Sequence, residues 1–260
     1  LRSLPLHLHR HLPRGDLLAH GVVVRREERE RSRRVLFLLR GHGLIWGTVP
    51  LGSRSTLGAA TEVMSWGEFR FHCSGRSVAL REVSLVDSYV SLMHLPLSLR
   101  GAVDVLELVR HLPCFLPQDD LLTLLWGFFC TLKELAPSGP AEARFLGRWL
   151  ASEGVLPDLS RCCECSSPVG GPTRLSDQGP VCCCPHREVS LEQLRDLGSA
   201  VYLPHRRFLE WCRSRFPDGD TRALRARWEV IILWMRGLVR ANILLTGRET
   251  LELSRDSDEA

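Results

Sequence analysis

Apolar residues alternate with polar ones through the first third of the chain and recur at helical spacing through most of the rest. Short β-rich runs occur at residues 21–25, 35–40, 44–49, 68–73 and 78–85, with turn-forming residues at Gly41-His42-Gly43 and Ser74-Gly75-Arg76. Five such runs in about 75 residues predict a small barrel. An OB-fold and an SH3-like barrel both satisfy this pattern. Phe69 and Phe71 share one face of their run and Arg70 takes the other, which predicts phenylalanines inward and arginine outward.

Beyond Pro96 the period changes. Val103, Leu106 and Val109, then Leu121, Leu124, Leu125 and Phe128, then Phe145 and Trp149 fall on helical faces. Pro113, Pro117 and Pro137-Ser138-Gly139-Pro140 punctuate the pattern, and Asp119 or Asp120 and Ser138 are candidate helix caps. Residues 154–187, rich in Cys, Pro, Gly and Ser, have the composition of a loop module that needs a staple. Helical spacing resumes at 191–197, 204–216 and 221–245. The expected class is α+β: an extension at 1–19, a barrel at 20–95, a helical body at 96–160, an inserted cysteine knuckle at 161–188, closing helices at 189–252 and a disordered acidic tail at 253–260.

With 260 residues, 44% of them hydrophobic and 25% charged, the composition excludes a wholly disordered or fibrous chain. A formal charge of +4 is only mildly basic, although nearly all the positive charge is arginine and Lys133 is the sole lysine. Residues 1–20 contain no uninterrupted apolar segment of signal-peptide type. The longest apolar run, 121–132, is about half of what spans a bilayer. These features predict a cytoplasmic protein away from membranes, in which clustered cysteines are reduced and suited to metal.

Six of the ten cysteines lie between Cys162 and Cys184. Cys162 and Cys165 form C-x-x-C, a spacing that lets two thiolates on one turn occupy two corners of a zinc tetrahedron. Cys183 and His186 repeat the spacing as C-x-x-H. The expected metal ligands are Cys162, Cys165, Cys183 and His186, with Cys182 or Cys184 as substitutes, around a structural zinc ion. A redox thiol activated by His186 is the competing chemistry, and it requires a lowered cysteine pKa and a substrate pocket.

Arg25, Arg26, Arg29, Arg31, Arg33 and Arg34 fall within ten residues, interrupted by Glu27, Glu28 and Glu30. Read as an exposed loop between the first two strands, this run offers arginines to phosphate. Trp46, Trp66, Phe69 and Phe71 are candidate stacking aromatics, with Trp46 the best placed. Arg40, Arg54 and Arg70 complete the candidate DNA-contacting set, and Arg206, Arg207, Arg213 and Arg215 are an alternative. A phosphate-binding glycine loop, a G-x-S-x-G elbow and H-E-x-x-H are all missing, so the sequence offers no enzymatic motif.

The stretch running from Arg144-Phe145-Leu146-Gly147-Arg148-Trp149-Leu150 through Pro157-Asp158-Leu159 to Cys162-Cys163-Glu164-Cys165 resembles the bacterial recombination mediator family RecO. Gly21-Val22-Val23-Val24-Arg25-Arg26, Arg34-Val35-Leu36-Phe37-Leu38-Leu39 and His42-Gly43-Leu44 are similar to that family's opening strands. The resemblance extends over about residues 20–250, and only the region around the knuckle is highly specific. It implies an N-terminal OB-fold and binding of single- and double-stranded DNA. It also implies strand annealing without catalytic residues, and a place in the RecFOR pathway of DNA repair. The implied partners are RecR, in loading RecA, and the C-terminal tail of single-strand-binding protein, docked on the helical body. The implied location is the nucleoid. Departures are the long leader, the irregular second half of the knuckle and the glutamates among the loop arginines. A protein-only adaptor is the alternative class.

Overall fold

The alternating first third of the chain is realised as five long strands. The structure, a computed structural model, describes residues 14–29, 32–50, 57–74, 77–114, 116–134, 136–183 and 188–256. The chain divides into two compact units, one of residues 1–90 with 109–123 and the other of residues 91–108 with 124–260.

In the first unit β1 (Gly15–Glu28), β2 (Ser32–Leu39), β3 (Gly43–Pro50), β4 (Trp66–Ser74) and β5 (Ser77–Asp87) close into a barrel in the order β1-β2-β3-β5-β4. All pairings are antiparallel except β3 with β5, which meet in parallel at Thr48 and Ala79. Inward positions follow the period of two: Val35, Phe37 and Leu39 from β2 meet Phe69 and Phe71 from β4. Phe37 stands edge-on to both phenylalanines at 5.0 Å, and each buried ring contributes about 1.5–3 kcal/mol. Arg70 faces out, as the alternation predicts.

β1 begins at Gly15, six residues before the first predicted run, so the end of the expected extension is strand. Leu17 and Ala19 alternate with Asp16, Leu18 and His20 and pair along β4, but the histidine and aspartate hide this alternation in the sequence. Gly21 and Gly67 are cross-strand partners where the barrel wall bends. A methyl on Gly21 would strike the Leu38 carbonyl, and one on Gly67 the Ser84 carbonyl, so the strands approach here only without side chains. The segment 109–123 returns to the same unit: Cys114 bridges to Leu44, and the Gly41 N–H donates to the Asp119 carboxylate at 2.7 Å.

The second unit is built from α1 (Pro96–Val109), the part of α2 (Asp119–Lys133) from Leu124 on, α3 (Ser138–Ser152), the hairpin β6 (Arg174–Ser176) and β7 (Gly179–Val181), α4 (Leu191–Tyr202), α5 (His205–Arg215) and α6 (Arg222–Asp256). Leu106 and Val109 of α1 and Leu121, Leu125 and Phe128 of α2 are buried as the helical spacing predicts, whereas Val103 of the same pattern is exposed. Two expected caps are replaced. Asp119 opens α2 but gives its carboxylate to Gly41. Pro137 holds the N-cap position of α3, so Ser138 is already helical and its hydroxyl donates to Asp220 at 2.9 Å. α6 runs through Leu253 to Asp256, where the sequence suggests a frayed tail. Leu251, Glu252, Leu253 and Arg255 are sound helix formers, and neither Gly nor Pro interrupts them.

Two arginine clasps organise these helices. Arg144 donates to the Ala200 and Leu203 carbonyls at 2.7 and 2.8 Å, and Arg148 to those of Val201 and Leu203 at 3.0 Å. They satisfy the orphan carbonyls at the end of α4 and set positive charge against its negative pole. Arg144 also lies 4.6 Å above the Phe208 ring, and burial brings its guanidinium down to about 10. The second clasp surrounds Glu142, which is fully buried. Arg225 approaches one carboxylate oxygen at 2.7 Å, and Arg236 donates to the other at 2.8 Å and to Asp104 at 2.7 Å. Burial pushes the Glu142 carboxyl above its usual range even with both guanidiniums against it. Among the described residues no helix is long and apolar enough to cross a membrane.

Two outcomes follow from this packing. Gly67→Ala should lower stability by about 1–3 kcal/mol through overpacking, read as a lower urea midpoint at unchanged slope. Glu142→Ala should cost about 3–5 kcal/mol, because it strands two guanidiniums away from water, while an exposed substitution such as Glu153→Ala should leave the midpoint within about 0.5 kcal/mol.

Candidate metal centre and nucleic-acid face

The C-x-x-C pair is held by a tight turn. The Cys162 N–H donates to the Ser167 carbonyl and the Ser166 N–H to the Cys162 carbonyl, both at 2.9 Å, with Ser166 at a positive φ of 59°. The β6–β7 hairpin closes the other side, where the Cys163 N–H donates to the Pro180 carbonyl at 2.9 Å. β7 then delivers Cys182 to the knuckle: its N–H points at the Cys162 sulfur at 3.4 Å, and its own sulfur lies 3.5 Å from that of Cys165. The sulfurs of Cys162, Cys165 and Cys182 all lie within 4.8 Å of one another, close enough to hold a metal ion.

This differs from the expected set at one position. Cys182, the expected substitute, is the cysteine grouped with the pair, while the Cys183 thiol donates to the Glu164 carboxylate at 2.9 Å and also lies within hydrogen-bond reach of Cys162. His186 and Cys184 lie outside the described residues. Cys163 is also apart, with its sulfur 3.4 Å from the Ser176 hydroxyl.

Backbone N–H groups of Cys165 and Cys182 aimed at the Cys162 sulfur hold that thiol down to about 6. Cys182, hydrogen-bonded to the sulfurs of Cys165 and Cys162, is pushed up to about 11, and Cys183, bonded to Glu164, to about 12. One sulfur thus favours thiolate and its neighbour keeps its proton, which a divalent cation among the three would displace. No local pattern marks Trp234 as part of this module, yet its indole N–H donates to the Ser176 carbonyl at 2.7 Å and ties the hairpin to α6.

On the barrel, the arginine run forms the end of the β1–β2 hairpin instead of a loop. Opposed charges sit across the strands, Glu27 facing Arg34 and Glu28 facing Arg33, and such pairs favour continued pairing. Four of the candidate DNA contacts carry carboxylate partners: Arg25 with Glu27 at 3.2 Å, Arg26 with Glu28 at 3.1 Å and with Glu62, Arg33 with Glu28 at 2.8 Å, and Arg70 with Glu82 at 3.1 Å. Among the described residues Arg29, Arg34 and Arg40 have no such pair. Arg34 lies 4.2 Å above the Trp46 ring, so one face of that half-buried indole is already covered by a cation. Burial, with Arg29 nearby, lowers the Arg34 pKa. Arg31 and Arg54 lie outside the described residues, and Trp66 is buried. In α5, Arg215 is bound to Glu192 and Asp196, whereas Arg206, Arg207 and Arg213 are exposed without an ion pair among the described residues.

No protein-family model matches the chain, and no curated protein is significantly similar to it.

Cobalt loading distinguishes the two possible third thiols. Wild type and Cys183→Ser should show cobalt–thiolate absorption, and Cys182→Ser should lose most of it. The reverse pattern would restore Cys183 as the ligand.

Proposed function

We propose that the chain is a DNA-binding mediator of the RecO type, with an OB barrel as its nucleic-acid module. The observation that carries this reading is the barrel's strand order, with β3 and β5 in parallel contact. OB-folds use the face of strands 2 and 3 and the first hairpin for oligonucleotides. Here that face bears the Arg34–Trp46 stack and that hairpin carries the arginine run. Exposed guanidiniums and a cation-covered indole suit a flexible single strand, with phosphates met by charge and bases by stacking.

In this reading Cys162, Cys165 and Cys182 hold zinc, which staples the knuckle and takes no part in a reaction. The helical unit serves as the platform for RecR and for the tail of single-strand-binding protein, and the protein works in the cytoplasm at the nucleoid. It anneals strands and helps to load RecA through binding alone. A second reading, a protein-only adaptor, is favoured by the carboxylates that neutralise Arg25, Arg26, Arg33 and Arg70.

Annealing of two complementary labelled oligonucleotides separates the readings. Wild type should accelerate it in a salt-sensitive manner, and a variant with Arg25, Arg26, Arg33 and Arg34 replaced by alanine should lose at least tenfold of the acceleration. No acceleration by wild type at any salt would leave the adaptor.

A further inference from the structure

The β1–β2 hairpin combines arginines in a manner unlike simple surface pairing. Arg26 and Arg33 share the Glu28 carboxylate, at 3.1 and 2.8 Å. A second contribution arrives from a distant part of the chain: Glu62 binds Arg26, and the Gly58 carbonyl accepts from Arg33 at 2.6 Å. Glu27 sits across the strands from Arg34 but spends its carboxylate on Arg25 at 3.2 Å. That leaves Arg34 to stack on Trp46. Three carboxylates from two segments therefore converge on three guanidiniums, beside two arginines, Arg29 and Arg34, that have no carboxylate pair among the described residues.

We propose that Glu27, Glu28 and Glu62 are built-in competitors for phosphate, masking Arg25, Arg26 and Arg33 until a nucleic-acid strand displaces them. The proposal rests on the DNA-binding reading above and adds its regulation. The Glu28 and Glu62 side chains are about half exposed, at 51% and 53%, so both can swing into water. Exposed ion pairs are weak, whereas a phosphate accepts two parallel hydrogen bonds from one guanidinium. A strand that first meets Arg29 and Arg34 is then positioned to take over the masked arginines one at a time. The mask sets a low affinity for stray polyanions and lets a correctly seated strand gain contacts. It also keeps the hairpin paired when no strand is bound, because the same carboxylates supply the cross-strand charges.

The test compares three full-length proteins by anisotropy of a labelled oligothymidylate across salt: wild type, Glu27→Gln with Glu28→Gln and Glu62→Gln, and a charge-matched control of Asp16→Asn with Glu68→Gln and Glu153→Gln. Thermal melting confirms that each is folded. Because a bound strand displaces the carboxylates in wild type as well, both proteins reach the same phosphate contacts, and the hairpin variant should bind about tenfold tighter at low salt with a slope within about 0.7 of wild type. The control should bind within about threefold of wild type. A hairpin variant that matches the control, with wild type binding, overturns the mask and leaves the DNA reading intact. Binding by none of the three overturns the DNA reading itself.

Discussion

Glu142 occupies a position in the helical unit that no solvent reaches, and two arginines from α6 meet it there. Removing a carboxylate from water is costly, and the cost is offset only if its partners are held in place. The need to hold them fixes much else. Arg225 and Arg236 are eleven residues apart, three helical turns, so both lie on the face of α6 that carries Trp228, Ile232, Met235 and Val239 into the core. Asp104 on α1 accepts from an Arg236 nitrogen that Glu142 also shares and brings a third helix to the same charge. Hydrophobic burial supplies the bulk of the stabilisation, and the ion cluster selects one rotation of α6 from the several that an apolar stripe alone would permit.

Charge has a different role on the barrel. Along the β1–β2 hairpin, glutamate faces arginine across the strands, and water reaches the carboxylates of Glu28 and Glu62 far more than the Arg33 side chain, so the pairs are partly screened. Such a surface is tunable: its pairs can be exchanged without disturbing the phenylalanine core beneath. The buried and exposed clusters use the same residue types, and burial decides which is fixed and which can be remodelled.

Much of this architecture is legible in the sequence wherever a local period reports it. Phe69 and Phe71, Leu106 and Val109, Leu121, Leu125 and Phe128, and Phe145 and Trp149 all follow from spacing. The C-x-x-C pair is legible for the same reason, since its chemistry is written over four residues. What the sequence hides is long-range. The meeting of Glu142 with Arg225 joins positions 83 residues apart, and no pattern marks either as buried. The arrival of Cys182 beside Cys162 depends on where β7 ends, which is a property of the hairpin's register. The arginine run reads as a loop because its charges mask a strand period, although the opposed charges are what pair it.

The knuckle is inserted between α3 and α4, and its ends are closed by its own backbone: Thr173 bridges to Val189, one residue before the Ser190 capping box that starts α4. Meanwhile Arg144 and Arg148 fasten α3 directly to the far end of α4 without using any residue of the insert. The helical body is therefore complete around the insertion. Trp234 ties the knuckle to α6, and a change among its thiols would leave the Arg144 and Arg148 contacts with the end of α4 in place.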